Sequence, residues 1–504
     1  MSKIKIIGLG IIVVFAIVLI GGFAYVRHIA TKGIPDYDAT VLLKGLSDKV
    51  TVYRDEYAIP HIYAKNAMDL YRAVGYCMAQ DRLFQMDLIR RVTTGRLSEV
   101  VGEKAIELDH LMRALRITEK SQMTLARTDP TLIGLMDAFC DGVNQYIESH
   151  QNRLPVEFTI LRYAPEKWKP EHSINVAGYM AFDLSTGWDN EVLFHQIRQK
   201  VGDVRLQEIL PDMPGYTNVI YPEFGTTVSG IDVNGTLLAG AGLIDELGIS
   251  VFSGSNNWVV SGKKSATGKP ILANDMHLGL HAPGIWYQMH QVVAGESNVT
   301  GVVVPGQPHI TAGHNDHIAW GFTNVMVDDM DFYLEKINPD NPDEYECNGQ
   351  WRKMRIRNER IRVKGDRIVE KKIRFTHRGP IISPLKQLGN TAISMRWTGN
   401  APSDESRTLH LLARAENWND FKDAVKTFKA VSQNIVYADV DGNIGLYCSA
   451  GVPIRPTNDG SVIQPGSTDQ HDWNGFVPFE QLPHSYKPTE GYLCSANNNT
   501  TAEG

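Results

Sequence analysis

Residues 251–262 read VFSGSNNWVVSG. Glycine, serine and asparagine are turn formers, and the NNWVVSG that follows has the apolar, β-branched content of a strand. A Gly-Ser-Asn-Asn turn therefore opens a strand near the middle of a 504-residue chain, and the sequence differs in kind on its two sides. Upstream, from Pro222 to Gly254, PEFGTTVSGIDVNGTLLAGAGLIDELGISVFSG is rich in Gly, Ser and Thr and reads as a loose connector. Downstream, a Ser-Ala-Thr-Gly turn joins NNWVVSG to KPILAND as a hairpin, and SNVTGVVV, HIAWGFTN and MDFYLEKI read as further strands.

Before the connector the pattern is helical. After the short alternating DKVTVYR, Asn66 stands as an N-cap, and Leu70, Val74, Cys77, Phe84 and Leu88 recur at helical spacing. Asp81, Arg82, Asp87, Arg90 and Arg91 punctuate the same helix and read as surface ion pairs. Helical periodicity continues to about residue 205. Late in the chain, SDESRTLHLLARAENWNDFKDAVKTF returns to helix before NIVYADVDGNIGLYCSA gives strands again. Helices, strands and helices in that order predict an α+β fold with sheet packed on sheet.

Composition bounds the function. With 43% apolar and 21% charged residues the chain is globular, and a net charge of -7 provides no basic field for nucleic acid. The Lys/Arg-rich WRKMRIRNERIRVKGDRIVEKKIRF carries interleaved acids and reads as solvated strand faces. Cys77, Cys140, Cys347, Cys448 and Cys494 form no C-x-x-C and no histidine-cysteine metal spacing, which leaves neither a disulfide framework nor a zinc site. At the N-terminus, Lys3 and Lys5 precede an uncharged apolar run from Ile6 to Val26. At about 1.5 Å per residue that run spans a hydrocarbon core of roughly 30 Å. Gly22-Phe23-Ala24 also offers a small-residue cleavage site, so residues 1–33 read as a membrane anchor or a removed export signal. The body is expected to be periplasmic or extracellular, secreted if the segment is cut.

No G-x-S-x-G elbow, H-E-x-x-H helix, P-loop or G-x-G-x-x-G is present in its required context. SGKK at 261–264 matches S-x-x-K but sits at a strand end, and His314 and His317 fall in a turn between strands. Ser255 offers a different chemistry. If the Gly254–Ser255 bond were cut, a free α-amine would stand beside its own hydroxyl. An α-amine has a reference pKa of about 7.7–8.0 against about 10.4 for lysine, so it is the better-matched general base at neutral pH.

The motifs VYRDEYAIPHIYAKN, GYCMAQDRLFQMDLIRR, TGRLSEVVG, GSNNWVVSG, LANDMHLGLHAPGIWYQMHQ, PGQPHITAGHNDHIAWGFTN, DDMDFY, YADVDGNIG and PGSTDQHDWNGFVPFEQLP run in order over roughly residues 48–500. In that order they resemble the penicillin acylase family of N-terminal nucleophile hydrolases. The resemblance implies a four-layer αββα fold. It implies a mainly helical first chain (34–222), a spacer (223–254) and a second chain from Ser255, the two chains forming a heterodimer cut from one precursor between Gly254 and Ser255.

It further implies that Ser255 is the nucleophile, that the Asn434 side-chain amide and the Asn324 backbone N–H are oxyanion donors, that His277 lies near the nucleophile's amine, and that Arg455 orients Asn434. Glu191, Asp328, the Met330 carbonyl and Asp331 correspond to ligands of a structural Ca2+, with no organic cofactor. The acyl pocket maps to Met180, Leu184, Leu278, Ala312 and Phe322. Leucines and an alanine stand there where penicillin G acylases carry large aromatics, which predicts a pocket reshaped for aliphatic acyl chains such as those of acyl-homoserine lactones. The implied reaction is hydrolysis of an N-acyl amide through a Ser255 acyl-enzyme. Two rivals are an anchored binding protein on the same fold without catalysis, and an ordinary serine hydrolase using His277 in a triad. Family members continue well past GYLCSANNN, so the second chain reads as truncated here.

Overall fold

The computed structural model describes residues 3–185, 187–209, 219–221, 243, 254–385, 388, 391–456, 460, 462–498 and 500–501. Apart from Leu243 and Gly254, the expected spacer lies outside the described residues. Helix α1 (Lys3–Thr31) carries its charges near its ends; an 18-residue window within residues 7–31 reaches a mean hydropathy of 2.8 and none of it is buried, so the helix is long and apolar enough to cross a membrane. An export signal would pass the same test.

Strands β1 (Thr51–Arg54) and β2 (Pro60–Ala64) form a hairpin ahead of α2 (Ala67–Thr93). Helix α2 starts where it does because Asn66 Oδ1 accepts the Asp69 N–H at 2.9 Å. Leu70, Val74, Cys77 and Leu88 are buried, with Phe84 packed at the margin. Helix α3 (Pro130–Ser149) lies directly against α2. A Cβ at Gly75 would stand 2.0 Å from the Phe139 carbonyl oxygen, and one at Gly142 would stand 1.9 Å from that of Arg72. The two backbones touch because neither position carries a side chain.

The ion pairs of α2 are not on the surface. Asp87, Arg90 and Arg91 are 2%, 1% and 4% exposed. One carboxylate, Asp87, accepts from both Arg90 and Arg91, and Glu166 and Glu99 take the remaining guanidinium N–H groups. The reason is coverage: α2 is enclosed on nearly all faces, and buried charge is tolerated only when paired and hydrogen-bonded. Asp81 is likewise turned inward, 2.5 Å from Arg54 of β1.

Helices α4 (Pro170–Asp183) and α5 (Gly187–Ile209, kinked at Gly202) complete the first, helical part. The second part begins with β3 (Gly254–Val260) and β4 (Ile271–His277), the hairpin expected around Ser-Ala-Thr-Gly. Then come β5 (Tyr287–Val293), β6 (Ser297–Val303), β7 (Ala312–His314), β8 (Ile318–Asn324) and β9 (Met330–Leu334). The basic stretch forms the antiparallel pair β10 (Arg355–Val363) and β11 (Arg367–Phe375). Its cations meet carboxylates of the first part, with Arg367 on Glu103 and Lys371 on Glu107, while Glu359 receives Arg113. Helices α6 (Glu405–Leu412) and α7 (Trp418–Val425) precede β12 (Gln433–Asp439), β13 (Ile444–Ser449), β14 (His484–Tyr486) and β15 (Tyr492–Ser495).

Nine strands form one sheet in the order β1-β2-β5-β6-β7-β8-β12-β13-β14, and β15-β3-β4 form a second, antiparallel sheet. Parallel pairing of β2 with β5 joins the first part of the chain to the large sheet. The small sheet packs across β8 and β12, while α2 lies against β2 and β5. Among the described residues this gives helix on sheet on sheet. Three of the four expected layers are therefore present. On the outer face of the small sheet no described helix is packed, and Trp258, Ile271 and Tyr492 are 43%, 43% and 50% exposed there.

Candidate active site

Strand register assembles the site. Ser255 is the second residue of β3; β4 runs antiparallel on one side, pairing Gly254 with His277, and β15 on the other, pairing Ser495 with Asn257. Continuing that second register by two residues brings Asn497 opposite Ser255. The chain turns there through Asn497 in the left-handed conformation (φ 58°), which asparagine tolerates better than most residues.

Ser255 is 7% exposed. Its Oγ accepts the Asn324 backbone N–H at 3.2 Å and the Asn497 side-chain N–H at 3.2 Å, and its own backbone N–H donates to Asn497 Oδ1 at 2.7 Å. Asn324 ends β8, anchored by its Nδ2 donating to the Leu184 carbonyl at 2.9 Å. Asn324, expected as a backbone oxyanion donor, thus has its N–H on Ser255 Oγ. Asn434 does not: in β12 it stands beside Thr323, its Oδ1 accepts the Tyr221 hydroxyl at 3.3 Å, and its Nδ2 is buried without a partner among the described residues. The side-chain amide that reaches Ser255 belongs to Asn497. The sequence carried a signal for it, the SANNN turn after a strand, but only the register selects one asparagine of three.

Arg455 does not orient Asn434 either. Its guanidinium donates to Asp331 at 2.8 and 2.9 Å and to the Asp328 carbonyl at 3.0 Å, because two carboxylates within reach outcompete a neutral amide. His277, opposite Gly254, holds Asp275 Oδ2 at 2.6 Å through Nε2.

A cavity of about 770 Å³, counted with its open mouth, leads to Ser255. Met180, Leu184, Leu278 and Phe322 line it, with Gly254 and Ser255 in its wall. Ala312 does not; it is buried in the large sheet opposite Val302, and Thr311 takes the lining position. Sequence reasoning missed Trp286, Leu409, Phe428 and Val431, which come from three separate segments. Phe428 lies 5.5 Å, centroid to centroid, from Phe322, so the lining is aromatic as well as aliphatic.

A second cluster lies beyond Leu184. One carboxylate oxygen from each of Glu191, Asp328 and Asp331 falls within 4.8 Å of the others. Both Glu191 oxygens are buried without a hydrogen-bond partner among the described residues. Burial and then the neighbouring Asp328 and Asp331 push the Glu191 carboxyl well above the ordinary range. Three acids against the single cation of Arg455, with two orphaned oxygens, fit a hard divalent cation, which takes carboxylate oxygens as ligands. The Met330 N–H lies 3.5 Å from Asp328 Oδ1. Burial also lifts the adjacent Asp329 carboxyl to about 7, against a hydrogen bond from Ser185.

A buried serine hydroxyl gripped by two N–H donors at the end of an apolar cavity is an arrangement suited to acyl transfer. The chain belongs to the penicillin amidase family, whose sequence profile matches residues 49–504. It is 30% identical over 480 residues to the acyl-homoserine lactone acylase QuiP of Pseudomonas aeruginosa, covering 92% of this chain and 56% of that protein. It is 31% identical over 488 residues to the penicillin acylase 2 proenzyme of Pseudomonas sp. strain SE83, covering 95% and 62%. The penicillin G acylase of Escherichia coli is 29% identical over 507 residues, covering 90% and 59%. A solved thermostable penicillin G acylase from Alcaligenes faecalis matches at 33% identity and a TM-score of 0.44, covering 48% of this chain and 44% of that one. The chain thus spans somewhat over half the length of these curated relatives.

Proposed function

We propose that the chain is an amidohydrolase that cuts itself between Gly254 and Ser255 and then hydrolyses N-acyl amides through a Ser255 acyl-enzyme. The observation that carries this reading is the pair of N–H donors on Ser255 Oγ. In the cut chain the Ser255 α-amine, held by Asn497 Oδ1, takes the hydroxyl proton as Oγ attacks the substrate carbonyl. The Asn324 N–H and the Asn497 side-chain amide stabilise the oxyanion, each donor contributing about 2.7–4 kcal/mol in the transition state. The amine departs with a proton, and water then releases the acid and restores the hydroxyl. The names of the relatives, acylases of penicillins and of acyl-homoserine lactones with one called a proenzyme, support both the amide chemistry and the processing. The cavity lining supports a flexible aliphatic or small aromatic acyl group rather than a charged one.

Glu191, Asp328 and Asp331 would hold a Ca2+ ion that ties the two chains, Glu191 coming from the first and the aspartates from the second. When bound, the ion would supply structural charge neutralisation and no step of the reaction. Export or anchoring through α1 would put the body outside the cytoplasm.

The test is intact mass of the purified protein. A new chain beginning at Ser255 is expected, with Ser255→Ala remaining one inactive polypeptide. A Ser255→Ala protein cut at the same bond would refute self-processing.

A further inference from the structure

Away from the cavity, on the parallel β2–β5 pair, two histidines from the two parts of the chain meet. His61 and His290 are register partners, so their side chains leave the same face of the sheet, and Nδ1 of one lies 3.1 Å from Nδ1 of the other. Each ring is held from behind. His290 Nε2 lies 2.7 Å from Asn298 Oδ1, and the Asn298 amide is itself oriented by donating from Nδ2 to Asp316 Oδ1 at 2.8 Å. His61 Nε2 lies 3.6 Å from Asp55 Oδ2, while Asp55 Oδ1 is fixed by accepting the Tyr57 and Ile59 N–H groups at 2.9 Å each.

An oxygen acceptor behind each ring calls for a hydrogen on each Nε2. That leaves two bare Nδ1 lone pairs facing each other at 3.1 Å. Moving either ring hydrogen round to Nδ1 fills the gap but sets a bare nitrogen against the oxygen behind it. A cation between the two Nδ1 atoms removes both conflicts.

We propose that His61 and His290 chelate a divalent transition-metal ion of the Zn2+, Ni2+ or Cu2+ class through their Nδ1 atoms. The spacing fits: nitrogens bound at about 2.0–2.1 Å stand about 3.3 Å apart on a tetrahedral ion and about 2.8 Å apart on a square-planar one. An oxygen acceptor on the far ring nitrogen is also what fixes the tautomer and raises the basicity of a metal-bound imidazole, and here both rings have one. The His61 side chain is 32% exposed, so water can fill the remaining positions. Paired imidazoles select a nitrogen-preferring ion, unlike the all-carboxylate cluster of Glu191, Asp328 and Asp331. Since β2 and β5 already pair in the whole chain, the site needs no scission, and the ion bridges the two parts at the strands that join them.

The experiment titrates the full chain, kept in Ca2+ so that the carboxylate cluster is not the site read, with Zn2+ by calorimetry and with Cu2+ by electron paramagnetic resonance. One saturable Zn2+ per chain, a Zn2+-dependent rise in melting temperature and a Cu2+ signal split by two nitrogens are expected. His61→Ala and His290→Ala should each remove a nitrogen from that signal and weaken Zn2+ by about a hundredfold or more. Asn298→Ala, which touches no metal, should weaken it by about tenfold or more through His290. Circular dichroism and melting without metal check the fold, and His61→Gln and His290→Gln serve where an alanine variant does not fold. Unchanged Zn2+ affinity in folded variants at both histidines, a Cu2+ signal from a single nitrogen, or no saturable binding to the wild-type chain would overturn the assignment and leave the pair bridged by a proton only.

Discussion

Asn497 makes two different hydrogen bonds to one residue, and a substitution can separate them. Asn497→Asp keeps an oxygen for the Ser255 nitrogen and loses the N–H aimed at Oγ. Steady-state assays of the processed variant should give kcat lower by about 10²–10³ with KM little changed. Asn434→Ala, in contrast, should leave turnover near wild type and show itself in the melting temperature, because its amide meets Tyr221 rather than Ser255. Should Asn434→Ala be the slow variant, the assignment made from the register fails. The amine base gives a pH signature of its own: kcat/KM of the cut enzyme should climb with pH through about 7.7–8.0, the amine acting only when deprotonated. The strands that carry Ser255 and Asn324, GSNNWVV and WGFTN, were legible in the sequence from their apolar, β-branched content. Asn497 and the true partners of Arg455 were not, since which side chain meets which across 242 positions, as for Ser255 and Asn497, is a matter of strand pairing.

Close contact between α2 and α3 makes the element scale sensitive to a single carbon. Gly142→Ala would push a methyl group against the Arg72 carbonyl at 1.9 Å, where only backbone can give way. Overpacking of this kind costs about 1–3 kcal/mol, so denaturant unfolding should show at least that loss. Helix α4 carries a titratable counterpart. Burial, then the charge of Arg90, pushes His172 down to about 3, so it folds neutral. In the unfolded chain it titrates near 6.5. Its contribution is complete above that value and is lost as pH falls from about 6.5 toward 3. Burial and then Arg414 bring His410 down to about 4, with the same sign. His172→Gln should flatten the acid limb of a stability-against-pH curve, and an unchanged limb would count against this account. The α2 pattern showed a helix from its apolar spacing and N-cap. It did not show that the polar side is enclosed too, because what covers a charged face comes from remote segments such as the one holding Glu166.

On the scale of the whole molecule, the self-processing reading raises the question of what would hold two polypeptides together once the connector is cut. Exposed pairs such as Arg367–Glu103 contribute roughly 0–1 kcal/mol each and are screened by salt. The β2–β5 pairing and the shared core under α2 are not. Size-exclusion chromatography of the processed protein should therefore show one particle containing both chains, even in molar salt. Chelator treatment should lower its melting temperature, and Glu191→Gln should abolish that response if the carboxylate cluster holds Ca2+. The order helices, strands, helices was enough to read an α+β molecule with stacked sheets. The exposed outer face of the small sheet was not readable, since its alternation looks the same whether a helix covers it or water does.

Gly254 already occupies a strand position, paired with His277 and lining the cavity, while its bond to Ser255 is intact. On the self-processing reading, the first acyl group offered to the hydroxyl is thus the protein's own, delivered at an effective concentration no free compound can match. Maturation would then be a single-shot, unimolecular event whose half-time is the same in dilute and concentrated solution. Compounds that fill the acyl cavity would have to compete with a tethered occupant until that event is over.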